Sequence, residues 1–275
     1  MHPPRVVSLD PAITEIVCGL GCGDWLVGRS HACDHPAWVH KLPAVTRADP
    51  AARVDSAARE IDADRLAALR ADEVLSPCEC ASLADLWREF RRIADRLGVP
   101  ERGVQLVTRT AGRLRAIGER AAALGPRPRI AFIESVDPLA AGGRWMPELV
   151  ALAGGEDLFG KIGEPAPRLA WDTLRTADPD VVWIALRNHE QAGTRAAFET
   201  LATRPGWGGL GAVRGARVFG GDGHALFHRP GPRVAESLEA LTEALHPAAF
   251  RFGHEGRGWE RLSAGLAPAR STRRG

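Results

Sequence analysis

His31, Cys33 and His35 occupy alternate positions in the stretch GRSHACDHP, and Cys78 and Cys80 repeat that alternation in SPCEC. In an extended chain alternate side chains point the same way, so each stretch could present its imidazoles and thiols to one object. Imidazole nitrogen and thiolate sulfur suit zinc and other transition metals, and a thiolate is also a nucleophile. His31, Cys33, Cys78 and Cys80 would make a four-donor set for a metal ion if the fold brings the two stretches together. His35 precedes Pro36, where the chain is steered out of the strand, and is expected to miss such a site. Taken singly, a loop histidine is more simply a solvated group, and a cysteine a small apolar filler.

The elements that must position these residues are written twice. RVVSLDPAITEIVCGLGCGDWLVG begins at Arg5, and RIAFIESVDPLAAGGRWMPELVALAGGEDLFG begins at Arg129. Each has a basic residue, a short apolar run, a turn containing Pro and a helical stretch entered by an acid. Glu15 precedes Gly21 and Asp24 at the same intervals by which Glu148 precedes Gly154 and Asp157. Repeated strand–helix–strand units imply an α/β protein with two Rossmann-like lobes and parallel sheets.

Two helices lie between the copies. Leu83, Leu86, Phe90, Ile93 and Leu97 form one stripe, with Ser82 as N-cap and Gly98 as stop. Val107, Ala111, Leu114, Ile117, Ala121 and Leu124 form the next, over Gln105 to Leu124, long enough to bridge the lobes at about 30 Å. A third amphipathic helix is expected over Val234 to Leu245. The expected division is an N-terminal lobe over 1–98, a bridging helix within 99–126, a C-terminal lobe over 127–252 and a tail from 253 to 275.

In open α/β sheets ligands bind beyond the carboxyl ends of the strands. Those ends carry Asp10; Ser30, His31 and Cys33; and Cys78 and Cys80 in the first lobe. In the second they carry Glu134, Trp145, Arg187 and His189, and last His224. The candidate ligand-binding set is therefore Asp10, Ser30, His31, Cys33, Cys78, Cys80, Glu134, Trp145 and His224. Trp145, Glu134 and His224 are expected to face His31 and Cys78 across the groove. Cys18 reads as core and Cys22 as loop; Trp171, Trp183 and Trp207 read as packing.

The chain has 275 residues and a net charge of +2, which gives no reason to expect nucleic acid or an anionic membrane as partner. No apolar run approaches the roughly 18 residues that span a bilayer, so no membrane insertion is expected. The start, MHPPRVVSLD, has no secretory pattern, and five cysteines do not suggest a disulfide framework. Both point to a reducing cytoplasm. G-x-S-x-G, Walker and H-E-x-x-H motifs do not occur.

The stretches RVVSLDPAITEIVCGLG, LVGRSHACDHP, AGGRWMPELVALAGGEDLFG, RPGWGGLGAVRGARVFGGDG and FHRPGPRVAESLEAL resemble the helical-backbone (class III) substrate-binding proteins of ABC importers, and among them the signal-less, cobalamin-binding-protein-like branch. The resemblance covers nearly all of residues 5 to 259. It implies two lobes joined by one long helix, with a corrinoid, siderophore, haem or metal ligand between them. It also implies that Glu15 and Glu148 match lobe acids that dock on an importer; first-turn acids favoured by the helix dipole are the alternative. Three readings follow. The first is a cytoplasmic, non-catalytic binding protein for cobalamin, another corrinoid or a related metal chelate, serving an importer or a cytoplasmic acceptor protein. The second is a thiol-dependent corrinoid-processing or metal-insertion enzyme. The third is a metal-ion protein using His31, Cys33, Cys78 and Cys80.

Overall fold

A computed structural model describes residues 2–48, 59–76, 79–187 and 189–263. The first half contains β1 (Val6–Ser8), α1 (Pro11–Gly19), β2 (Leu26–Arg29), β3 (Thr46–Ala48), β4 (Arg59–Ile61), α2 (Ala63–Ala68) and β5 (Glu73–Leu75). Then come α3 (Leu83–Arg96) and α4 (Pro100–Ala122). The second half contains β6 (Arg129–Val136), β7 (Leu139–Ala141), α5 (Met146–Leu152), β8 (Glu156–Asp157), α6 (Trp171–Ala177) and β9 (Val181–Ile184). It ends with α7 (Gln191–Ala202), α8 (Gly211–Arg214), β10 (Val218–Gly221), α9 (Val234–Leu245) and β11 (Trp259–Arg261).

Two sheets result. The first runs β2-β1-β5, with β1 parallel to both neighbours. The second runs β11-β10-β9-β6-β7, with β8 also on β6; its β6, β8, β9 and β10 are parallel, and β7 and β11 run antiparallel at the edges. The fold is thus α/β with two parallel-sheet halves, as the repeat implies.

Strand alternation sorts side chains into separate cores. Val6, Ile130, Phe132, Val181 and Trp183 join one large apolar cluster; Val7 goes to a small cluster behind the first sheet, and Ala131, Ile133, Val182 and Ile184 to one behind the second. The large cluster also takes Ile16 of α1, Phe90 of α3, Leu106 of α4, Leu149 of α5 and Leu241 of α9. The two halves therefore share a continuous apolar interior.

The stripe on α3 is buried at Leu83, Leu86, Phe90 and Ile93, and Ser82 and Asp85 form a capping box at its start. The bridging helix begins earlier than its stripe suggests, with Pro100 in its first turn, a position where the missing N–H costs nothing. It stops at Ala122, which leaves Leu124 exposed. Arginines along α4 fasten it to its neighbours. Arg102 and Arg109 donate to the carbonyls of Gly21 and Gly19, beyond and at the C-terminal end of α1 (3.2 Å each), and Arg113 makes a two-pronged bond to Glu239 of α9 (2.7 and 2.6 Å).

The helix over Val234–Leu245 is buried on almost every side rather than amphipathic; of its residues only Glu236 is not buried. The tail expected from residue 253 begins too early. Glu243 of α9 accepts from the backbone N–H of Phe252, Gly253 and His254 and from Trp259 Nε1, at 2.8–3.0 Å, and β11 then pairs with β10. Among the described residues no helix is long and apolar enough to cross a membrane.

Candidate functional site

The loop after β2 is built by Arg29. Its Nη1 donates to the carbonyls of Ser30 (2.9 Å), His31 (3.1 Å) and Cys33 (3.4 Å), while Cys33 N closes a turn on Ser30 O (3.1 Å). That turn defeats the alternation of the sequence, because residues in a turn do not share a face. His31 is exposed, and its backbone N and Nδ1 both meet the Thr46 hydroxyl, at 2.9 and 2.8 Å. Cys33 turns inward, fully buried, with its sulfur 3.1 Å from the Thr14 hydroxyl. Ser30 is also buried, its hydroxyl 3.0 Å from that of Thr46.

Asp34 is the loop residue that reaches the second half. After β10, Asp222 caps a single π-helical turn, Gly223–Phe227, by accepting from Ala225 N at 2.8 Å. This turn presents His224, whose Nε2 lies 3.0 Å from Asp34 Oδ2. Just beyond it, Arg229 donates Nη1 to Asp34 Oδ1 (2.6 Å) and Nη2 to Asp34 Oδ2 (3.1 Å). The same Nη1 donates to Glu15 Oε1 of α1 at 2.8 Å, and Arg233 Nη1 lies 3.7 Å from that oxygen. Burial drives the Glu15 carboxyl up to about 7, only partly offset by Arg229. Burial acts the same way on Asp34, but bonds from His224 and Arg229 outweigh it and hold that carboxyl well below the usual range.

A second polar group lines the strand ends of the other sheet. Glu134 is buried and accepts from Arg187 Nη2 at 3.1 Å and Gly143 N at 3.4 Å, with His228 Nδ1 4.0 Å away. Burial, helped by Arg187, lowers the His228 imidazole to about 4. It is therefore neutral at pH 7, and its Nε2–H donates to Ala185 O (2.7 Å).

The other candidates are placed as follows. Asp10 caps α1, accepting from Ala12 N at 2.9 Å. Cys80 and Trp145 are buried in the apolar cluster shared by the two halves, not turned to a groove. Cys78 lies outside the described residues. Cys22, read as loop, is buried, and Trp183 and Trp207 pack inside as expected. Burial raises the thiols of Cys18 (to about 11), Cys22 and Cys33, which keeps them protonated at neutral pH. Among the described residues no three His, Cys, Asp or Glu side chains form a group that could hold a metal ion. His31, Cys33 and Cys80 thus do not converge.

Neither proposed docking acid is free on the surface. Glu15 is buried against Arg229, and Glu148, half-buried, accepts from Leu83 N at 2.8 Å at the start of α3. The partner of His224 is Asp34 rather than His31. The candidate set held neither Asp34, which sequence reasoning read only as one of the residues at the end of β2, nor Arg229; their trace in the sequence is an acid in CDHP and a base in FHRPGP, 195 positions apart.

The family model for periplasmic binding proteins matches residues 77–225. An uncharacterised ABC transporter substrate-binding lipoprotein of Bacillus subtilis (strain 168) is 26% identical over 272 residues, 91% of this chain and 82% of the relative. A vitamin B12-binding protein of Photorhabdus laumondii is 22% identical over 276 residues, 89% of this chain and 88% of the relative. The crystal structure of a periplasmic heme-binding protein from Pseudomonas aeruginosa superposes with a TM-score of 0.71 at 26% identity, over 90% of this chain and 94% of that one. These relatives overturn the expectation of a cytoplasmic protein: one is a lipoprotein and another periplasmic, so the pattern points outside the cytoplasm. Free thiols and the residues at the start of the chain do not by themselves decide a compartment.

Proposed function

The chain belongs to the periplasmic binding protein family, and from that premise we propose that it is the extracytoplasmic receptor of an ABC importer, holding a metal-bearing macrocycle, a corrinoid or a haem, between the carboxyl ends of its two sheets. The observation that carries this reading is the set of imidazoles at those ends. His31 and His35 follow β2, His189 follows β9 and His224 follows β10, and His224 already meets Asp34 of the opposite half. A planar chelate needs a slot between two walls, polar groups for its fringe and at most one or two axial donors. The names of the vitamin B12-binding and heme-binding relatives support the same ligand class. The chain contains no tyrosine, and its methionines are Met1 and the buried Met146, so an axial donor from the described residues would be histidine. His31, exposed and oriented by Thr46, is the first choice.

The reading is a binding protein rather than an enzyme; burial keeps the thiols of Cys22 and Cys33 protonated, which makes them poor nucleophiles. Titration of the purified protein with haemin and with cyanocobalamin, followed by visible absorption and calorimetry, tests it. Saturable one-to-one binding of either, weakened by His31→Ala, is the expected result. Binding of neither would overturn the macrocycle assignment.

A further inference from the structure

Two kinds of contact join the halves, and they differ in what they can specify. The shared apolar cluster attracts without direction. The contact of Arg229 with Asp34 is directional: a planar guanidinium and a planar carboxylate meet by two parallel bonds of 2.6 and 3.1 Å, which fixes both distance and angle. Each partner is anchored to the strand ends of its own sheet. Asp34 closes the loop whose carbonyls Arg29 gathers. Arg229 follows His228, which bonds to Ala185 just beyond β9, and the π turn capped by Asp222.

The burial of this contact is graded. The side chains of Glu15 and Arg229 are 2% and 5% exposed, whereas those of Asp34 and His224 are 33% and 30% exposed. Its inner half is sealed in the protein, and its outer edge is open to solvent.

We infer that the Asp34–Arg229 fork, backed by Glu15 and edged by His224, is the clasp that sets the spacing of the two strand-end walls before any ligand arrives. Asp34 and Arg229 are then positioning residues for the ligand site, an inference that rests on reading this cleft as that site. A cleft already at its working width spends no binding energy on closing. If loss of the clasp lowered the competent population to about a tenth, apparent affinity would fall about tenfold.

Hydrogen exchange followed by mass spectrometry on the unliganded protein tests the clasp directly. Wild type is compared with Asp34→Asn, Arg229→Gln and the double variant. Each single change is expected to speed exchange about tenfold in peptides covering both 30–36 and 222–234, while β6 and β9 keep their wild-type rates. The double variant should be no faster than Arg229→Gln alone, because that change already removes the whole fork. Acceleration confined to the substituted loop, or additive effects, would overturn the inference. Should Arg229→Gln not fold, Asp34→Asn, at a partly exposed position, decides the matter through the same two-loop readout. Haemin and cyanocobalamin titrations run alongside. If wild type binds neither, the ligand reading fails while exchange still decides the clasp. If wild type binds, Asp34→Asn should weaken affinity about tenfold; loosened loops with unchanged affinity would remove the positioning role.

Discussion

Arg229 holds Asp34 by two bonds, Nη1 to Oδ1 at 2.6 Å and Nη2 to Oδ2 at 3.1 Å, across 195 positions of chain, and shares the first nitrogen with Glu15. One buried guanidinium thus serves two carboxylates of the opposite half. The asymmetry matters, because removing the shared cation takes the nearest positive partner from both acids at once, whereas removing either acid leaves the guanidinium the other.

Arg229→Gln is accordingly expected to cost about 3–5 kcal/mol of stability, the usual penalty for breaking a buried ion pair from one side. Asp34→Asn should cost less, about 1–2 kcal/mol, since Arg229 keeps Glu15 and the substituted amide still offers the guanidinium one accepting oxygen. Urea unfolding midpoints for the two variants check the order; equal losses would contradict the shared-cation arrangement.

Glu15 places a pH signature on the same contact. Its carboxyl stands near 4.5 when unfolded and at about 7 when folded, facing Arg229, Arg233 and Asp34. Between these values the folded state holds the extra proton, so this contribution to stability is complete below about 4.5 and is lost as pH rises through 7. Asp34 has the opposite sign: its contribution is present above 3.8 and lost on further acidification. His228, lowered from 6.5 to about 4, also loses its contribution as pH falls through that window. The readout is therefore the difference between Glu15→Gln and wild type. The variant should gain on wild type from pH 5 to about pH 7 and level off above it, and a flat difference throughout would refute the assignment.

Gly223 begins the π turn that carries His224, and a Cβ there would lie 1.9 Å from Leu186 O, a backbone atom that cannot step aside. Gly223→Ala should lower stability by about 1–3 kcal/mol or more and displace His224 from Asp34. A thermal melt together with the ligand titrations would detect both, and a wild-type melt would show that the turn has room.

Glu243 fastens residues 252–259 by accepting four N–H groups, at 2.8–3.0 Å, the last from Trp259 of β11. Glu243→Gln replaces one accepting oxygen by a donor facing donors, at an expected cost of about 3 kcal/mol. Limited proteolysis should then cut within 252–262 faster than in wild type, whereas equal rates would show that strand pairing alone holds the segment.

Cys33 is a buried filler beside Thr14. Cys33→Ala should cost about 1 kcal/mol through the small void it leaves and leave haemin and cyanocobalamin affinities unchanged. A tenfold loss of affinity in a folded variant would restore the thiol to the ligand site.

Local signals carried the fold a long way. The stripe and N-cap of α3, the bounds of α9 and the inward packing of Trp183 and Trp207 are legible because each depends on neighbours within a few turns or on simple transfer of apolar surface. The doubled strand–helix pattern likewise fixes two parallel sheets. The contacts at the strand ends were harder to read. His224 was named, but the fate of Cys33 depended on a turn closed by Ser30 O, which reversed the face that alternation assigned to it. Glu15 lies on a helix whose sequence looks solvent-tolerant at that position, yet it became buried because an arginine from the other half came to meet it. Periodicity reports which face of an element is apolar; it does not report which charges two docked sheets bring within 3 Å. Docking the sheets through their common core placed Arg229 between Glu15 and Asp34, and that placement exists only in three dimensions.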